Sequence, residues 1–117
     1  MRIWIPTDVQ AISALVETGS LAAETGFAVT PEWSVLIGEN DEEVLEDLRA
    51  QNIDSQIVVV AELEASVVNA ETGEVSVSRP VSAKQISAFL AKSEPGDAEF
   101  SWFGPTEGLN LLDFVGH

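Results

Sequence analysis

The sequence predicts a single α+β domain spanning residues 1–117, a ferredoxin-like sandwich in which a mixed sheet of four to five strands carries helices on one face. Three observations predict it. Ile57 to Ala61 are consecutive small or β-branched apolar residues, the pattern of a strand buried on both faces near the centre of a sheet. Val9, Ile12, Leu15 and Val16 recur at spacings of three and four, the stripe of an amphipathic helix. The predicted order is strand, helix, strand, helical segment, strand, strand, helix, strand, which makes two β-α-β units with short connections. A chain of 117 residues that is 45% hydrophobic has the size of one domain, able to bury roughly two-thirds of its unfolded surface.

Each element has a local cause. Residues 1–5 are rich in β-branched and aromatic side chains, and Pro6 ends the run because proline cannot donate to a sheet ladder. Thr7 or Asp8 caps the first helix and Gly19 terminates it. Phe27 to Thr30 form a short strand, after which Thr30-Pro31 opens a helical turn with Trp33, Leu36 and Ile37 on its apolar face. Asn40 with Glu43 resembles a capping box for a helix that reaches Gln51, with Val44, Leu45 and Leu48 pointing inward. Ile57 to Glu62 make the central strand. A turn at Glu71 to Glu74 leads into the alternating strand Val75 to Ser78. Ser82 caps a short helix with Ala83, Ile86 and Phe89 or Leu90 at helical spacing, although Phe89 to Ala91 also fit the start of a strand. Glu99 to Phe103 form the last strand, stopped by Gly104-Pro105, and the tail packs through Leu109, Leu111, Leu112 and Phe114.

Charge narrows the function. Twenty carboxylates against five cationic side chains give a formal charge of −15, which repels phosphates and anionic lipid heads and favours basic partners. The interleaving of acids with apolar runs separates this chain from disordered polyanions. Its cationic residues Arg2, Arg49, Arg79, Lys84 and Lys92 are too few and scattered for direct nucleic-acid binding. No apolar run approaches the ~20 residues of a membrane span, and the stretch before Pro6 is too brief for a signal peptide. Cysteine is absent, which fits a reducing compartment. The expectation is a cytoplasmic protein.

Chemistry-bearing motifs are missing. The lone histidine, His117, removes the usual general base and any His/Cys zinc cage. The acidic stretches lack the alternation and glycine of a calcium loop, and no glycine-rich phosphate loop or nucleophile elbow is present. The sequence therefore predicts no metal, no cofactor and no catalytic residue, and leans against an enzyme.

The densest feature is Glu39, Asp41, Glu42, Glu43, Glu46 and Asp47, six carboxylates within ten residues. On a helix, Glu42 with Glu46 and Glu43 with Asp47 are four apart and share an outer face at roughly 5–6 Å between Cβ atoms. The plainer reading is a solvated helix whose first-turn acids suit the dipole. The functional reading is a docking surface for a basic protein, with Trp33 as its exposed aromatic; Trp4 and Trp102 are expected to pack in the core. A nucleic-acid-mimicking inhibitor of a basic protein and an enzyme using a carboxylate pair are the alternatives.

The opening Met-Arg-Ile-Trp-Ile-Pro-Thr, the segment Phe27 to Pro31, the cluster Asp41 to Glu43, the strand Ile57 to Ala61 and the late Trp102-Phe103 together resemble a family of small acidic actinobacterial cytosolic proteins of unknown function. The resemblance implies a bacterial cytosolic setting and brings no activity with it. The function expected from the residues is a non-enzymatic interaction module that binds a basic partner through its acidic helix.

Overall fold

The computed structural model describes residues 1–116. Along them run β1 (Arg2–Thr7), α1 (Val9–Thr18), β2 (Ser20–Leu21), β3 (Thr25–Ala28), α2 (Pro31–Ile37), α3 (Glu42–Gln51), β4 (Ile57–Glu62), β5 (Ser66–Asn69), β6 (Glu74–Ser76), β7 (Val81–Ser82), a 3₁₀ turn (Ala83–Gln85), β8 (Ile86–Ala91), β9 (Ser101–Phe103) and α4 (Gly108–Gly116). Among these residues seven strands form one sheet in the order β5-β6-β3-β1-β4-β8-β9, and β2 pairs with β7 in a separate ribbon.

The predicted α+β class is observed, but its details differ. The sheet has seven strands where four to five were expected, and every pair is antiparallel rather than mixed. Ferredoxin-like β-α-β crossovers place a parallel pair at the centre, whereas β1 here lies antiparallel to both β3 and β4. Helices also cover both faces. Ile3, Ile5, Ile57, Val59, Ala61, Val75, Phe89 and Ala91 face one side, where Ile12 and Leu15 of α1 and Leu111 of α4 close the core. Trp4, Val58, Val60 and Ala88 face the other side, packed against Ala50 and Ile53 at the end of α3. The period of two along each strand makes this outcome inevitable once both faces are apolar, since a single helical layer would leave one apolar face in water.

β4 is an interior strand, buried on both faces as expected: Ile57 to Ala61 are all buried, between the middle strand β1 and β8. Pro6 does not end β1. Beyond Trp4 that strand has β4 on one side and no β3 partner on the other, so a residue lacking an N–H fits without opening a paired ladder. Residues 86–91 are strand rather than helix, since pairing with β4 from Ile57↔Ala91 to Ala61↔Ile86 buries alternate residues on both faces, and a helix there would leave β4 an edge. The predicted Ser82 cap survives on the 3₁₀ turn, where Ser82 and Gln85 satisfy each other's backbone N–H groups.

Helix ends follow their sequence signals. Asp8 accepts from Ala11 N, and Gly19 closes α1 at φ 77°. Thr30 accepts from Trp33 N at the start of α2, with Pro31 in the first turn. At α3 the cap is Asp41 rather than Asn40, its Oδ1 accepting from Glu43 N and Val44 N. Leu36 (65% exposed) and Ile37 do not form the buried face expected of α2; only Trp33 of that trio is buried. A helix of seven residues is only about two turns long and presents few positions to the sheet.

Candidate functional site

The acidic helix is tied to the sheet by two arginines that do different work. Arg2 on β1 donates from Nε to Glu62 Oε1 at 2.7 Å and from Nη1 to Glu46 Oε1 at 3.1 Å, bridging β4 and α3. The hydrogen bond to Glu62 holds the Arg2 pKa above its usual value; partial burial opposes this and Glu46 adds to it. All three groups remain substantially solvated, so the network contributes orientation more than stability.

Arg49, in the last turn of α3, is only 4% exposed. Its guanidinium carbon lies 4.0 Å from the centroid of Trp33 and 5.2 Å from that of Phe27, while Nη1 donates to Thr72 O at 2.8 Å and Ala28 O at 3.3 Å. Among the described residues it has no carboxylate partner, and Nε has no hydrogen-bond partner. Burial lowers its pKa, yet a guanidinium stays charged at neutral pH. Two aromatic faces and two carbonyls stand in for a counter-ion. The turn that supplies Thr72 is further fixed by Thr30 Oγ1, which donates to Ala70 O, and by Gly73 N, which donates to Asn69 O at 2.9 Å. Gly73 adopts φ 79°, and a Cβ there would run into Ala28 O and approach Arg49 Nη1 to 2.7 Å.

These ties correct the expectation for Trp33. It is 5% exposed, stacked under Arg49 and shut off from partners, because a buried guanidinium needs an aromatic face where no carboxylate reaches it. Trp102 is reversed as well: expected in the core, it is 66% exposed. It pairs with Leu90, while Phe100, expected on the same strand, lies just before β9. However, β9 is the edge of the sheet, and the α3 layer that covers Trp4 and Ala88 does not reach it.

A cleft lies on either side of α3. The first, about 430 Å³, is lined by Arg2, Trp4, Val29, Thr30, Pro31, Glu32, Glu42, Glu46 and Val67 among others. The second, about 340 Å³, lies toward β9 and is lined by Arg2, Trp4, Glu46, Asp47, Ala50, Val60, Ser87, Ala88, Leu90 and Trp102. Arg2, Trp4 and Glu46 belong to both. Of the predicted acids, Glu42 and Glu46 thus meet in one cleft and Glu46 and Asp47 in the other. Glu43 is exposed and lines neither. Glu39 and Asp41 serve the backbone instead: Glu39 Oε1 accepts from Asn40 N and Asp41 N, and Asp41 caps the helix. Sequence reasoning missed Arg2, Trp4 and Trp102 as cleft residues. The signal available for Trp102 was its place in a short terminal strand between Ser101 and a Gly-Pro stop, the context of an edge.

Among the described residues no group of three or more His, Cys, Asp or Glu side chains is placed to hold a metal ion, and no helix is long and apolar enough to cross a membrane. Fold and site together define a small three-layer α+β domain with an acidic helix set between two clefts. The chain belongs to the family of unknown function DUF6912, whose profile matches residues 1–101. This agrees with the resemblance at the level of a family without an assigned function. No curated protein and no solved structure matches the chain. The matched span stops before α4, although α4 contributes Leu111 to the core and sets Phe114 5.3 Å from Phe103.

Proposed function

We propose that this protein is a non-enzymatic interaction module that docks a basic protein segment along α3. The observation that supports this reading is the row Glu42, Glu43 and Asp47: exposed carboxylates without a salt-bridge partner among the described residues, on a rigid helix flanked by two partly apolar clefts. Glu46, held by Arg2, orients the row rather than adding free charge to it. Like charges crowded on one helix face destabilise it, and a partner's lysines or arginines relieve that repulsion.

The test separates position from net charge. Charge reversal at Glu42, Glu43 and Asp47 (each →Lys) is compared with reversal at Glu17, Glu24 and Glu94, which are equally exposed and lie away from the clefts. Binding to cationic peptides, followed by calorimetry at low and high salt, should weaken about tenfold or more for the α3 variant, as expected when three charge contacts turn repulsive. The remote variant should lose much less. Equal losses in the two variants discard α3 as the docking site.

A further inference from the structure

The cleft between α3 and β9 has a composition that α3 alone does not explain. Its lining joins Trp4, Val60, Leu90 and Trp102 from four neighbouring strands of the sheet with Glu46 and Asp47 from α3. Three tryptophans occur in the chain, two of them buried, and the third stands in water in a cleft shared with these acids. We infer that this cleft receives an arginine side chain from the basic partner segment, stacked on Trp102 and paired with Asp47. The inference rests on the docking reading and names the contact that confers its selectivity.

The choice of arginine follows from chemistry. An indole face is the most favourable aromatic surface for a cation. A guanidinium is planar and weakly hydrated, so it can lie flat on the ring while its edge donates to a carboxylate; a lysine ammonium is compact and strongly hydrated and gives up more on entering a partly apolar cleft. A purely apolar occupant would strip water from Asp47 with no compensating bond. A second copy of this chain would bring another −15 to a face already crowded with acids. Other sites on this side of the sheet are taken: Lys92 Nζ lies 4.7 Å from the Phe100 centroid, and Glu46 is engaged by Arg2. Trp102 and Asp47 are the aromatic and the acid left open in the cleft.

The test uses the full chain and two short, otherwise identical peptides, one rich in arginine and one rich in lysine. Because Trp4 and Trp33 are buried and tyrosine is absent, quenching of tryptophan fluorescence by acrylamide reports on Trp102; an uncharged quencher avoids exclusion by the protein's own charge. The arginine peptide should shield Trp102 and bind more tightly than the lysine peptide, and Trp102→Ala should remove that preference, weakening the arginine peptide about two- to fivefold while leaving the lysine peptide nearly unchanged. Trp102→Phe should retain part of the preference. Since the side chain is exposed, far-UV circular dichroism of both variants should match the parent.

The outcomes divide cleanly. If Trp102→Ala leaves the arginine peptide unaffected while reversal of Glu42, Glu43 and Asp47 abolishes its binding, this inference fails and the docking reading stands. If neither peptide binds the parent protein, both fail. Shielding by free arginine amide as strong as that by the peptide would assign the cleft to a small cation, and shielding that grows with protein concentration alone would assign it to a second copy; either overturns the proposal.

Discussion

Removing the guanidinium of Arg49 is the sharpest test of how this fold tolerates a buried cation that has no carboxylate partner among the described residues. The hydrogen bond to Thr72 O at 2.8 Å is charge-assisted and contributes about 1.5–3 kcal/mol. Stacking on Trp33 at 4.0 Å, away from water, adds about 2 kcal/mol. Against these stands a desolvation penalty of several kcal/mol for burying the charge. Arg49→Ala loses the favourable contacts, leaves a slot between Trp33 and Phe27, and orphans the carbonyls of Ala28 and Thr72, so a net destabilisation of about 3 kcal/mol is expected once the recovered penalty is subtracted. Arg49→Met orphans the same carbonyls but fills the slot and removes the buried charge, so it should cost only about 1 kcal/mol. Unfolding in urea, which does not screen charge, reads both through the exposure of the buried Trp4 and Trp33; in thermal melts the two should fall by about 12 °C and about 4 °C. An alanine variant within about 0.5 kcal/mol of the parent, or a methionine variant less stable than the alanine one, would refute this account of the aromatic sandwich.

Two further outcomes follow from the same structure. Gly73→Ala forces a positive φ on a residue with a Cβ and drives that Cβ into Ala28 O, so it should destabilise by about 3 kcal/mol, well above the roughly 1–2 kcal/mol of the backbone conformation alone; a change under about 1 kcal/mol in urea unfolding would mean the turn is not pinned as described. With −15 charges, stability should rise with sodium chloride between about 0.01 M and about 1 M, as the Debye length shrinks from about 30 Å to about 3 Å. A melting temperature that stays flat or falls over that range shows that the acids do not repel one another appreciably in the folded state.

Much of the local structure was written in short-range signals. Asp8 and Gly19 bracket α1, Thr30-Pro31 opens α2, and Ile57 to Ala61 became a buried interior strand, because capping and hydrophobic runs act within a few residues of themselves. The acidic helix and its exposed Glu42, Glu43 and Asp47 were legible for the same reason. At residues 86–91 local spacing competes with a long-range demand: Ile86 and Phe89 suit a helix stripe, Phe89 to Ala91 also suit a strand, and the strand prevails because β4 needs a partner on its second edge. The α2 residues Val35 and Leu36, 78% and 65% exposed, show the converse, an apolar pattern with nothing placed to cover it.

Local signals along the chain were enough for an acidic α+β domain, an apolar interior strand, and a helix with carboxylates facing outward. Tertiary structure alone decided that helices cover both faces of the sheet, that Trp33 lies beneath Arg49, and that Trp102 stands open at the edge beside Asp47. The difference has one physical source. Periodicity and caps depend on neighbours in the chain, whereas the burial of an aromatic ring depends on which distant segment reaches it, and β9 was left beyond the cover of α3.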